Sequence, residues 1–279
     1  MPAAAVASSA SPPELSLPEG KLWCDLIERR SGLHFPESQW HYLRRRLWER
    51  MRIAAIPTYT QYYAWVAEAG RGEEWRLLLE DLLNPETSFF RHEPSFAALQ
   101  KLIQSRKNVV RPYELWSAGC STGEEAYSLA MTACAATGGR AEVLGTDLNG
   151  QALAQARAGV FTARQVAGVP APWRKRFLRE AGRPGCWEVE PVLRSYVGFA
   201  PFHLLDAGTF PKREFDVIFC FNVLIYFSPE ARQEAAKSLF GRLGPEGYLF
   251  LAPGESAGLA IPGAEPVRLP GTHIWRRAS

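Results

Sequence analysis

The chain has 279 residues, 47% hydrophobic and 22% charged, with a net charge of +3, which is an ordinary soluble composition with room for one large domain or two modest ones. So small a charge gives no bulk argument for nucleic-acid binding, and no run approaches the roughly 18 apolar residues of a membrane span. Five scattered cysteines (Cys24, Cys120, Cys134, Cys186 and Cys220) contain no Cys-x-x-Cys pair, which argues against a disulfide scaffold or a zinc site and points to a reducing, cytoplasmic setting with no metal.

Residues 1–20 begin rich in Ala, Ser and Pro but lack a basic start and a sustained apolar run, and they read as a disordered tail rather than a signal peptide. From residue 21 to about residue 83 the pattern is helical. Trp40, Leu43, Leu47 and Met51 recur at helical spacing, while Arg44, Arg45, Arg46, Arg50 and Arg52 occupy the other faces, opposed only by Glu49. Such a basic face is either simply solvated or a docking surface. Further helices are expected over 59–69 and 73–83, and no strand signal precedes residue 113. Next comes Asn84-Pro-Glu-Thr-Ser-Phe-Phe-Arg-His-Glu93. Its adjacent phenylalanines, between Thr87 and Arg91, suit either a wall over a ligand with one cation beside it or a helix packed on a sheet with Arg91 exposed.

The texture then changes to strand–helix alternation. Strands are expected over 113–118, 142–146, 215–221 and 247–252, and helices over 124–136, 150–158 and 229–243, the last closed by Gly244-Pro245. This alternation implies a parallel sheet covered on both faces. A Gly182-Arg-Pro-Gly185 turn suggests a small β-insertion within 173–202. The stretch from Val267 to Arg276 reads as two short strands around Pro270-Gly271, one of them antiparallel at the sheet edge.

The chemistry concentrates at Glu114-Leu-Trp-Ser-Ala-Gly-Cys-Ser-Thr-Gly-Glu-Glu-Ala-Tyr-Ser-Leu-Ala130. A strand delivers a turn with glycines at 119 and 123 to a helix N-terminus, bringing bare backbone N–H groups near a ligand. The turn is neither Gly-x-Gly-x-x-Gly nor a P-loop, since no Gly-Lys-Ser/Thr closes it, so the ligand is not a polyphosphate. Asp147 ends the second strand, where a ribose diol would be gripped; alternatively it caps the following helix. A ribose without phosphates points to S-adenosylmethionine. Glu124 and Glu125 favour the helix dipole, and one of the two, not both, could meet the polar or cationic end of that cofactor. Asn222 and Tyr226 are the polar groups leaving the buried strand in Phe219-Cys-Phe-Asn-Val-Leu-Ile-Tyr-Phe227, placed either to line the crevice or to pack in the core.

Four ordered motifs, Glu86-Thr-Ser-Phe-Phe-Arg91, Trp116-Ser-Ala-Gly-Cys-Ser-Thr-Gly-Glu-Glu-Ala-Tyr-Ser128, Gly145-Thr-Asp147 and Asn222-Val-Leu-Ile-Tyr-Phe227, resemble the CheR family of chemoreceptor glutamate methyltransferases over about residues 20–277. The resemblance implies a doubly wound, Rossmann-like α/β methyltransferase domain over 84–279 with a small β-insertion, preceded by a smaller all-α recognition domain over 21–83. It implies S-adenosylmethionine as methyl donor and glutamates in the cytoplasmic helical methylation region of chemoreceptors as acceptors. By matching positions, Thr87, Arg91, Gly119, one of Glu124 and Glu125, Asp147, His203, Leu204, Phe221 and Asn222 would contact the cofactor, and Arg91 and Tyr226 would face the reacting glutamate. Arg44, Arg45, Arg46 and Arg50 would dock the acidic receptor bundle. A monomer without nucleic-acid or membrane insertion is expected. The alternatives are a methyltransferase acting on a small molecule or RNA, and a non-catalytic sensor of the cofactor.

Overall fold

The computed structural model describes residues 11–68, 72–83, 86–106, 111–206 and 214–278. The chain divides into two compact units, Met1–Leu83 and Asn84–Ser279.

The first unit is helical. Helix α1 (Leu17–Ser31) starts where Ser16 and Glu19 form a reciprocal capping box, and it ends at Gly32, whose φ of 71° suits glycine. The tail expected to reach residue 20 therefore stops before Leu17; residues 1–10 lie outside the described ones. Helices α2 (Trp40–Ile53), α3 (Tyr59–Glu68) and α4 (Glu73–Leu82) complete the unit. Trp23, Ile27, Leu43, Leu47, Tyr62 and Leu78 are buried in it, so the apolar stripe of α2 is its inner face.

One arginine of α2 also goes inward. Arg50 is 7% exposed, and its Nε and Nη2 donate to the Glu74 carboxylate at 3.0 and 2.7 Å. The Tyr62 hydroxyl donates to the same carboxylate at 2.7 Å, and burial drives the Tyr62 pKa far above its usual value. This corrects the expectation of a docking role for Arg50. Its charge is consumed by a buried pair whose separation would strand an uncompensated ion. Arg45, by contrast, has a side chain 58% exposed. Arg46 lies over the Tyr42 ring, 5.1 Å from its centroid, and bonds Glu49 at 3.0 Å; Arg44 is half-buried.

The second unit opens with α5 (Glu93–Ser105) and β1 (Tyr113–Ala118), then α6 (Glu124–Thr137), β2 (Ala141–Asp147) and α7 (Gly150–Ala158). Then follow β3 (Val160–Thr162), α8 (Ala171–Phe177), β4 (Leu178–Glu180), β5 (Cys186–Val189), α9 (Pro191–Arg194) and β6 (Val197–Pro201). The chain closes with β7 (Phe215–Cys220), α10 (Pro229–Gly241), β8 (Leu243–Leu251), β9 (Ala264–Val267) and β10 (His273–Arg277). A seven-stranded sheet has the order β6-β2-β1-β7-β8-β10-β9. Its first five strands are parallel, and β10 is antiparallel to both neighbours. Strand β7 is buried at every position and is apolar apart from Asp216, whose carboxylate is paired with Arg111.

The expected doubly wound α/β order is present, with three local differences. The small sheet has the order β3-β5-β4, so it draws β3 from before residue 173, while β6, inside 173–202, belongs to the main sheet. A three-residue strand is too short to show alternation, and β6 is an edge strand of mixed burial. Gly244-Pro245 does not close α10, because β8 already runs there, across a register shift opposite Phe215 and Val217. Finally, β9 starts at Ala264, before the expected stretch; of the two C-terminal strands β10 runs against the parallel set, and β9, antiparallel to β10, forms the edge and runs with that set. Among the described residues no helix is long and apolar enough to cross a membrane.

Candidate functional site

The parallel strands all end on one side of the sheet, and the order turns at β1, with β2 and β6 to one side and β7 and β8 to the other. A crevice outside the carboxyl ends at such a switch point is where doubly wound sheets receive ligands. The turn after β1 is tied to the tip of β2: the N–H groups of Gly119 and Cys120 both donate to the Thr146 carbonyl, at 2.7 and 2.8 Å. Gly119 has a φ of 87°, and a Cβ there would lie 2.2 Å from Val223 Cγ2. Glycine is thus required both by the backbone conformation and by the approach of the loop after β7.

Asp147 completes the tie. Its carboxylate accepts from Ser121 N and from Asn149 N, each at 2.8 Å. Burial raises its pKa above the usual carboxylate value, against those two bonds and a third from the Leu148 backbone. The cap of α7 is Asn149, whose side chain accepts from Ala152 N, so the capping alternative for Asp147 falls away. Each Asp147 oxygen retains acceptor capacity toward the crevice.

The adjacent acids at the start of α6 separate cleanly. Glu124 is 1% exposed, and its oxygens are taken by Thr122 Oγ1 at 2.6 Å and Gln165 Nε2 at 2.8 Å. Glu125 turns the other way, toward the end of β1, and accepts from Ser117 Oγ at 2.7 Å. Burial pushes its pKa up to about 7; Ser117 and Arg91 pull it down, and the charge of Glu255 pushes it further up. Glu125 is therefore a half-buried acid with a hydroxyl partner, Ser117, and the positive field of Arg91 acting on it.

Arg91 follows a constrained step in the chain. Phe90 has a φ of 52°, its N–H donates to Ser128 Oγ at 3.1 Å, and its ring meets Phe96 and Trp173. Phe89 packs edge-on to Phe161 at 4.9 Å. The paired rings are core anchors rather than a wall over a ligand. The accessible Arg91 donates Nη1 to the Glu86 carbonyl at 2.8 Å and lies 3.7 Å from the Glu86 carboxylate. Thr87 is half-buried between them in sequence.

On the far side of β1, Phe221 is buried with its ring against Phe219 and His92, so only its backbone is offered to the crevice. Asn222 takes a φ of 59°, and Tyr226 is half-buried in a 3-10 turn over Leu224–Tyr226. His203 and Leu204 follow β6; Leu205 N donates to His203 Nδ1 at 3.1 Å, and Phe202 N reaches the Asp147 carbonyl at 3.2 Å. The carboxyl ends of β1, β2, β6 and β7 thus gather Gly119, Glu125, Asp147, His203, Leu204, Asn222 and Tyr226, with Arg91 within electrostatic reach of Glu125. Glu124 and the Phe221 ring point elsewhere. Sequence reasoning missed Ser117 and Glu255. The signal for Glu255 was a lone acid just past the apolar β8.

Two family models match the chain: CheR methyltransferase, all-alpha domain, over residues 18–83, and CheR methyltransferase, SAM binding domain, over residues 85–261. The chain is 31% identical to the chemotaxis protein methyltransferase of Escherichia coli K12, covering 83% of this chain and 82% of that one. It is 30% identical to the chemotaxis protein methyltransferase of Salmonella typhimurium, over 84% and 82% of the two chains. With chemotaxis protein methyltransferase 2 of Pseudomonas aeruginosa it shares 31% identity over 82% and 83%.

The glycine turn yields a direct test. Gly119→Ala is expected to weaken S-adenosylhomocysteine binding by at least about tenfold, the order of one strained non-glycine residue plus a clash. Adding Val223→Ala removes the clash but not the backbone strain, so it restores binding only in part. Calorimetric titration reads both variants, and undiminished affinity in the single variant would place the ligand elsewhere.

Proposed function

The chain belongs to the CheR methyltransferase family, and from that premise we propose that it methylates glutamate side chains in the cytoplasmic helical region of chemoreceptors. It is an S-adenosylmethionine-dependent methyltransferase of chemotaxis. What supports the finer reading is the gathering of Glu125, Asp147, Arg91 and Tyr226 around one crevice. The donor set fits the cofactor: a half-buried acid poorly compensated by cations suits a cationic ligand, and a carboxylate with spare lone pairs suits a diol.

In this reading Glu125, not Glu124, holds the cationic amino-acid end, and Asp147 takes the ribose hydroxyls. Gly119 admits the backbone, and Thr87, His203, Leu204, Asn222 and the Phe221 backbone close the pocket. When bound, S-adenosylmethionine supplies a methyl group activated by its sulfonium. The acceptor glutamate, with an ordinary pKa near 4.3, is already ionised at neutral pH, so this chain need not provide a strong base. Its task is to orient the carboxylate and exclude water. Arg91 already neighbours a carboxylate, that of Glu86, and can exchange it for the substrate's. Tyr226 offers a hydroxyl on the other side. In α2, Arg44, Arg45 and Arg46 supply the basic surface for the acidic receptor helices, and Arg50 only supports it from within.

Radiolabelled methyl transfer to a receptor cytoplasmic fragment tests the whole reading: a base-labile product identifies an ester, and its absence would refute the glutamate assignment. In that assay Arg91→Ala should lower kcat by about 10²–10³-fold; full activity would remove Arg91 from the site.

Cofactor affinity should depend on pH through Glu125. In the free protein its pKa is raised from 4.5 to about 7, so its contribution to stability is fully present below the ordinary carboxyl pKa and is lost as pH rises from there through about 7. A cationic ligand needs the ionised form, so its affinity moves the other way. Association should strengthen roughly tenfold from pH 6 to pH 8, and Glu125→Gln should flatten the profile. An unchanged profile in the variant would assign the titration to another group.

Reversing Arg44 and Arg45 to glutamate should raise the KM for the receptor fragment by about tenfold or more, on the scale of electrostatic steering, with S-adenosylhomocysteine affinity unchanged. A loss of cofactor affinity instead would rule out the docking role.

A further inference from the structure

Glu255 lies just past β8 and is 0% exposed. One of its oxygens, Oε2, accepts from Asn222 N at 3.0 Å and from Ala252 N at 3.1 Å; the other, Oε1, accepts from Ile225 N at 3.1 Å. The Val223 backbone adds a further hydrogen bond. A single carboxylate therefore receives three backbone N–H groups of the loop that leaves β7, those of Asn222, Val223 and Ile225, and joins the loop to the end of β8. Charge-assisted bonds of this kind are the strong ones, and no part of the loop's own secondary structure could replace them.

The loop they hold is not one that packing alone would fix. Leu224 and Phe227 are buried and anchor its middle and its far end. Between and before them, Asn222 sits at a φ of 59°, and Ile225 stands 48% exposed. A left-handed non-glycine residue and an apolar side chain turned to solvent are both unfavourable in themselves, and such features persist only where the surroundings over-determine them. Here the over-determining group is Glu255. The residues it fixes are the ones that face ligands in the function proposed above: Asn222 toward the cofactor and Tyr226 toward the acceptor.

We propose that Glu255 is a positioning residue for methyl transfer, holding the 222–226 loop so that Asn222 and Tyr226 meet cofactor and acceptor together. This inference rests on the methyltransfer reading of Tyr226. It has a second consequence through electrostatics. Glu255 also faces Glu125 and the buried Cys220 thiol, and its charge opposes ionisation of Glu125. The groups bearing on Glu125 are the Ser117 hydroxyl, Arg91, Glu255 and the buried Cys120 and Cys220 thiols, so removing the Glu255 charge leaves burial alone to oppose Ser117 and Arg91.

Glu255→Gln keeps the size but presents an amide NH₂ to backbone donors. In the full-length protein it is expected to lower kcat at least tenfold and to raise the Kd of S-adenosylhomocysteine severalfold. It should also shift the midpoint of the pH–affinity profile below that of the parent, which a merely structural defect would not do. In a Tyr226→Phe background the same substitution should lower kcat less than threefold, because its effect on transfer passes through Tyr226. Parental kcat and Kd in a folded Glu255→Gln protein, or fully additive kcat losses, would overturn the proposal. If Tyr226→Phe alone leaves kcat unchanged, it is the reading of Tyr226 that fails; Glu255 then stands or falls on the Kd and the pH midpoint. Should Glu255→Gln not fold, Glu255→Asp retains the charge and the local bond to Ala252 but shortens the reach to Ile225. It should reproduce the loss in kcat while leaving the pH midpoint in place, and parental kcat in that variant would overturn the proposal.

Discussion

The Thr146 carbonyl, shared by the N–H groups of Gly119 and Cys120, is the constraint on which this end of the molecule depends. After β1 the chain must leave the sheet and enter α6, yet its backbone donors are buried and cannot go unpaired. Strand β2 supplies the acceptor, and Asp147 one residue later takes Ser121 N as well. The turn is thereby bound to β2 on one side, which presses its other side against Val223, where only a glycine fits. The start of α6 follows from this, and so does the direction of each acid on its first turn.

Three carboxyl groups converge there, and burial raises the pKa of each. The fold compensates them unequally. Asp147 receives three backbone N–H groups and Glu255 four. Glu125 receives one hydroxyl and a share of the field of Arg91. A desolvated acid with few partners is unfavourable, and the deficit falls on half-buried Glu125, which faces the crevice. A cationic ligand therefore gains more from Glu125 than from an acid already satisfied by backbone, and this difference explains why adjacent Glu124, closed off by Thr122 and Gln165, can be purely structural.

Much of this was legible in the sequence, because the signals were local. A strand, a glycine turn and a helix start are adjacent in the chain, and alternating apolar runs disclose a parallel sheet. The functional split between Glu124 and Glu125 was not legible, since helical neighbours diverge by about 100° and only tertiary partners decide which one faces in. Arg50 read as one of a basic row because its partner Glu74 lies on another helix. Glu255 was invisible for a similar reason: its partners Asn222 and Ile225 belong to a distant segment joined to it only by the pairing of β7 with β8. The β3 strand and the irregular start of β8 escaped because three residues, or a glycine–proline pair, carry no periodicity to detect.

The contrast between Arg50 and Arg91 supports the role proposed for Arg91. Arg50 is locked to its carboxylate by two bonds in the dry interior of the first unit, and exchanging that partner would expose both ions to desolvation without return. Arg91 has an accessible side chain, one close bond to a carbonyl and a carboxylate at 3.7 Å. Its backbone, however, is fixed by the buried Phe89 and Phe90 rings and by the Ser128 hydroxyl. A guanidinium on a rigid root with a replaceable partner can accept an incoming carboxylate without rebuilding its surroundings. For a nucleophile that arrives already ionised, that combination matters more than a strong grip, because binding it too tightly would withdraw the electron density needed for attack.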